Sequence, residues 1–179
     1  MYDYEKLAVI AKESGFTNHA PLDVAGLEFL QDVRDMCNAG RCRDYGTSWS
    51  CPPACPPLGE IRETVKGYSG GILVQTVGDL EDSYDWQGII DTGGRHKANF
   101  AHMRSKLDKA FDSVLAMGAG TCRICEKCSY PNELCRFPDK MEVSMEASGL
   151  FVSKVCTDNG LAYNYGADKI AFTSCFLLK

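Results

Sequence analysis

Ten cysteines in a chain of 179 residues, eight of them gathered into two groups of four, limit what this sequence can fold into. The first group is Cys37, Cys42, Cys51 and Cys55. The second is Cys122, Cys125, Cys128 and Cys135, inside the stretch CRICEKCSYPNELC. A secreted miniprotein uses such thiols as disulfide staples, but this chain is long enough to build its own core. Its N-terminus, MYDYEKLAVIAKESG, has no basic head before an apolar stretch, so the sequence reads as cytoplasmic. In that compartment clustered cysteines point to metal or redox chemistry.

Each group supplies four thiolates, the number that a tetrahedral zinc or a four-iron cubane requires. In C-x2-C-x2-C the chain curls so that three sulfurs face one centre, the core spacing of bacterial four-iron ferredoxins. Zinc sites more often use two separated C-x2-C pairs. The run from Cys122 to Cys128 therefore leans towards iron–sulfur. The ferredoxin pattern places its next cysteine three residues on, before proline, on another cluster. Here the gap is six residues and Arg136 follows, so Cys135 is expected to close its own cluster.

Five of the eight arginines (Arg34, Arg41, Arg43, Arg123 and Arg136) lie within three residues of a grouped cysteine. Guanidinium groups there would offset the negative charge of a thiolate-bound cluster. Surface charge balance is the plainer reading, because acidic residues sit there too. Around the first group, YGTSWSCPPACPP is stiffened by prolines at 52, 53, 56 and 57, and Tyr45 and Trp49 are placed to keep water off a centre. Cys156 and Cys175 are left over and read as buried, inert thiols.

These residues resemble a family of prokaryotic proteins of unassigned function labelled predicted metal-binding. The resemblance rests on CxxCxxCxYPxxxCRxP, on SMEASGLFV and on an upstream YGxxWxCPP, and runs from about Cys37 to the C-terminus. YGTSWSCPPAC is a minor departure from a more cysteine-rich, basic version. The resemblance implies metal binding through the eight grouped cysteines and implies no particular reaction.

The pattern of elements predicts an α/β fold, a compact single-domain sandwich of a small mixed sheet and helices over residues 1–179, with cysteine loops at 37–57 and 120–138. Helices are expected at 4–14, 23–36, 58–67, 96–117, 141–147 and 150–158, and strands at 70–78 and in the tail KIAFTSCFLLK. Residues 79–94 read as an acidic, turn-rich connection. His19, His96 and His102 have no metal spacing and read as surface residues. DTGGRH reads as a turn and cap rather than an anion nest. Met141 and Met145 read as a core stripe of a helix that packs over the second group.

The net charge of −5 argues against a nucleic-acid partner, and no apolar run approaches the ~20 residues needed to span a membrane. The sequence is read as an electron-transfer protein with two [4Fe-4S] clusters and an unknown redox partner. A zinc-stabilised interaction module is the first alternative. The second is a cluster-dependent reductase or activator of a small molecule or cofactor protein, for which no flavin or nicotinamide motif is present.

Overall fold

A computed structural model of the chain describes residues 3–38, 40 and 42–179. Its centre is a five-stranded mixed sheet in the order β1-β2-β5-β3-β4. The long strands β2 (Gly70–Asp79) and β5 (Lys169–Leu178) pair antiparallel down the middle. Both are buried along most of their length, as expected of strands covered on two faces. Side chains alternate: Ile72, Val74, Phe176 and Leu178 enter one core, and Leu73, Cys175 and Leu177 enter the other.

Helices α1 (Tyr4–Glu13) and α4 (Trp86–Ala110) cover the first face through Leu7, Phe100, Met103 and Leu107. Phe100 stacks on Phe176 with ring centroids 4.7 Å apart. Helices α3 (Leu58–Val65) and α5 (Val152–Asp158) cover the second face through Leu58, Ile61, Val152 and Val155. The protein is therefore an α/β sandwich, as its sequence predicts, with helices on both sides of the sheet.

Several elements differ from the expectations above. Only α2 (Gln31–Asp35) of the 23–36 segment is helical. The Asp23 carboxylate accepts the Ala25 N–H at 3.1 Å and fixes a turn, and Phe29 then forms a bridge with Leu150. Strand β1 (Asn18–Leu22) has no counterpart in the sequence reading; it holds Pro21 and sits at the sheet edge, where a missing N–H is tolerated. Helix α4 starts ten residues earlier than expected, so DTGGRH lies within it. Asp85 caps it by accepting the Gly88 N–H at 2.9 Å. Gly78 of β2 leaves room for Thr92, which a Cβ would strike, so α4 lies close on the sheet.

The C-terminal end of the expected 96–117 helix is wrong for a clear reason. Phe111 and Val114 continue the helical period, yet Phe111 is extended (φ −135°, ψ 141°) and Val114–Gly118 is strand β3. No helix forms at 141–147. Instead the short strand β4 (Val143–Ser144) pairs parallel with β3 through Met117 and Gly118. Met145 is fully buried, as a core residue should be, but it reaches the core from a turn.

That turn is locked by Gly149, whose φ is +83°. Its carbonyl accepts the Leu30 N–H at 2.8 Å, and a Cβ there would lie 2.8 Å from the Leu30 carbonyl oxygen. Gly149→Ala is expected to lower stability by ~3 kcal/mol, through left-handed backbone strain plus the clash. A urea titration checks this, and an unchanged midpoint would contradict it.

Candidate metal centre

Both cysteine groups lie in segments with little regular structure. The first begins within a 3₁₀ turn at Met36–Asn38 and continues to α3. It is shaped by short turns, including Gly46 N–H to the Pro52 carbonyl at 2.8 Å and Cys55 N–H to the Cys51 carbonyl at 3.0 Å. Gly46, at φ +65°, adopts the left-handed conformation that lets its N–H turn inward. The second occupies residues 119–142 between β3 and β4, with a single 3₁₀ turn at Pro138–Lys140. A segment longer than ~12–15 residues without regular structure is usually functional or disordered.

The structure places Cys37, Cys42 and Cys51 around a cavity of about 400 Å³, which Glu146, Phe151 and Tyr163 also line. Cys55 does not line it. Cys55 is 3% exposed; its sulfur meets the Arg34 guanidinium, and Arg34 also donates to the Cys55 carbonyl at 3.0 Å. Cys122, Cys125, Cys128 and Cys135 all line a second, narrower cavity. None of the ten cysteines is bridged to another. Among the described residues no three His, Cys, Asp or Glu side chains lie close enough to share one ion, so the sulfurs ring the cavities rather than meeting at a point. In kind, the donors fit a thiolate-bound metal: soft ligands, partly shielded, around a space.

The two loops converge. Ser48 and Ser50 from the first and Thr121 from the second form a buried hydroxyl node, with Ser48 Oγ 3.0 Å from both Ser50 Oγ and Thr121 Oγ1. Cys51 Sγ lies 3.3 Å from Thr121 Oγ1, and the Cys122 N–H donates to Ser50 Oγ at 3.1 Å. Trp49 crosses from the first loop to wall the second cavity. Its indole N–H donates to the Glu133 carbonyl at 3.0 Å, and its ring meets Tyr130 edge-on at 5.0 Å. Tyr45 stays with the first cavity. Met141 lines the second, although from extended chain rather than a helix.

Electrostatics suit a cation-dependent site. Burial, with Cys42 and Glu146 nearby, pushes the Cys37 thiol up to about 11. Burial also raises Cys55, against the opposing pull of Arg34. Thiols gathered out of water favour their neutral form, so a bound metal must displace protons. Glu146 is held above the usual carboxylate range because protein surrounds it on most sides, although its side chain reaches solvent. Lys97 of α4 donates to the Thr121 carbonyl behind the node, and burial lowers its pKa against the opposing effect of Glu142.

The arginines divide. Arg34 is buried on Cys55, Arg123 faces Asp44 at 4.0 Å, and Arg136 lines the second cavity and donates to the Lys127 carbonyl at 3.0 Å. Arg43 lies over the Trp86 ring instead, and Arg41 is outside the described residues. His102 is exposed and His19 half-buried, but His96 is not the expected surface residue: it is 1% exposed beneath the sheet. Cys156 and Cys175 are fully buried, as anticipated. The hydroxyl node, Lys97 and Glu146 escaped the sequence reading. The only available signal was a hydroxyl residue directly before Cys51 and before Cys122.

A family model described as a predicted metal-binding protein (DUF2284) matches residues 20–178. No curated protein matches the chain. No solved structure matches it. Among the described residues no helix is long and apolar enough to cross a membrane.

Proposed function

The chain belongs to this family of predicted metal-binding proteins, and from that premise we propose that each cysteine group holds a [4Fe-4S] cluster and that the pair carries electrons to or from a redox partner. The observation that carries the proposal is the shared hydroxyl node. Cys51 through its sulfur and Cys122 through its backbone N–H, one from each group, both touch it, so the two loops that would hold the centres meet there. A four-iron cluster, when bound, supplies one-electron storage at a potential set by charge, hydrogen bonds to sulfur and exposure.

The chain's own residues act on each of those variables. The Arg34 guanidinium donates to the Cys55 sulfur, where such a hydrogen bond would favour the more negative, reduced state, and the Cys51 thiol donates to the Thr121 hydroxyl. Trp49 lines the second cavity with its ring packed edge-on against Tyr130. Around that cavity Ile124, Leu134 and Phe137 are exposed, Leu134 by 85%, and this apolar rim suits brief docking of a redox protein. The acidic net charge favours a basic partner.

Electron paramagnetic resonance of the fully reduced protein tests the arrangement. The expected spectrum is broadened by interaction between two neighbouring spins. Two independent sharp signals, or a colourless protein that holds zinc, would contradict it.

A further inference from the structure

A further cavity, of about 230 Å³, shares one lining residue, Met141, with the cavity of the second cysteine group. It lies between α3, Arg104 of α4, strand β3 and the end of the second cysteine segment at Pro138 and Asp139. No cysteine lines it.

Two features of its lining leave hydrogen-bonding groups open. Ser148 is 1% exposed, and among the described residues its hydroxyl has no hydrogen-bond partner. Buried hydroxyls are nearly always paired, so this one lacks a partner that the cavity has room to hold. Strand β3 pairs with β5 from Val114 to Met117 but with β4 only at Met117 and Gly118. Its outer edge at Val114, Leu115 and Ala116 therefore has no strand beside it, and these three residues line the cavity.

The charges indicate the ligand class. Arg104 supplies a guanidinium. Its Nε meets the Asp108 carboxylate at 3.3 Å and its Nη2 the Asp139 carbonyl at 3.3 Å, which leaves the other terminal nitrogen for an incoming carboxylate. Glu60 and Asp139 supply carboxylates; both are exposed, so they stand on the open side, where they suit an ammonium group. A simple anion would be repelled by these two and a simple cation by Arg104. Ile61 and Met117 are buried and make the lining apolar between the charges and Ser148. The volume lies just below the ~300 Å³ at which drug-sized sites begin, so the occupant is a small molecule rather than a peptide strand.

We propose that this cavity binds a small amino acid with a polar side chain: its carboxylate takes Arg104, its ammonium faces Glu60 and Asp139, and its side chain gives the Ser148 hydroxyl the partner it lacks. The site is independent of what the cysteines hold. Because Pro138, Asp139 and Met141 form part of its wall, an occupant also steadies the end of the second cysteine segment.

Calorimetry on the whole protein purified without oxygen tests the site. The probes are L-threonine and L-glutamine, each paired with an apolar molecule of similar shape, L-valine and L-methionine. At least one polar probe is expected to bind saturably with a Kd below ~10 mM, more tightly than its apolar counterpart, and to slow tryptic cleavage after Lys140. Arg104→Gln is expected to weaken that binding ~10-fold, the scale of one hydrogen bond to a charged group. Ser148→Ala is expected to abolish the preference for the polar probe. In the free protein it should leave the urea midpoint unchanged or raise it, since only an unpaired hydroxyl is lost. Absence of saturable binding by both polar probes means a cavity that holds water alone and overturns the proposal. Equal affinity in Arg104→Gln overturns it too. So does a lowered urea midpoint in Ser148→Ala, which would place that hydroxyl in the service of the fold.

Discussion

Cys128→Ser is expected to remove about half of the iron bound by the chain and to leave the first centre in place. Cys128 is the third member of the C-x2-C-x2-C run, and with Cys122, Cys125 and Cys135 it lines one cavity. The loop that carries it, residues 119–142, has little regular structure of its own. Its order depends on a few contacts, chiefly Trp49 to Glu133 and Tyr130, and the Ser129 hydroxyl to the Leu134 carbonyl at 2.8 Å. A metal that joins four points of such a loop contributes directly to its folding. The variant should therefore also become sensitive to proteases between residues 122 and 137, while the sheet stays folded. Mass spectrometry of limited digests reads the second effect and metal analysis the first. A variant with full iron and an uncut loop would remove Cys128 from the ligand set.

Acid is expected to destabilise the protein through His96, a residue away from both cysteine groups. Its ring is sealed between β2, β5 and α4. Nδ1 lies 3.0 Å from Thr76 Oγ1, Nε2 lies 2.7 Å from Ser174 Oγ, and Phe16 packs edge-on at 5.5 Å. Two hydroxyls suit a neutral imidazole with one N–H and one lone pair. Burial, with a smaller contribution from Lys97, pushes its pKa down to about 3, against ~6.5 for an exposed histidine. Above pH ~6.5 the ring is neutral in both folded and unfolded chains, and its contribution is fully present. As pH falls from there towards 3, the unfolded chain binds a proton that the folded chain refuses, so stability is lost and the loss levels off near the folded pKa. At ~1.4 kcal/mol per unit, the difference between pH 7 and pH 5 is on the order of 2 kcal/mol. Urea midpoints at the two pH values measure it. His96→Gln should flatten the dependence, and an equal slope in the variant would contradict the assignment.

Where the sequence was legible, the physics was local. Helices α1 and α3 show one apolar stripe each, and β2 and β5 are apolar runs too short for a covered helix. The cysteine loops announce themselves by glycine, proline and spacing. The misreadings occur where tertiary contacts override a local signal. Val114 fits the stripe of α4 but is drawn into β3 by pairing with Leu178 of β5. Residues Val143–Ser144 are strand only because β3 lies beside them. The polar surroundings of His96 come from Thr76 and Ser174, far away in the chain.

The site divides in the same way. Two groups of four thiols can be counted from the sequence. That Trp49 serves the other loop's cavity, that Arg34 meets Cys55, and that Glu146 and Tyr163 share a cavity with Cys37 are products of chain folding over long separations. No spacing rule encodes them.

Counting metal and acid-labile sulfide in protein purified without oxygen tests the central claim most directly. Two four-iron centres require about eight iron and about eight sulfide per chain in a brown sample. A colourless sample with about two zinc and no sulfide would contradict it.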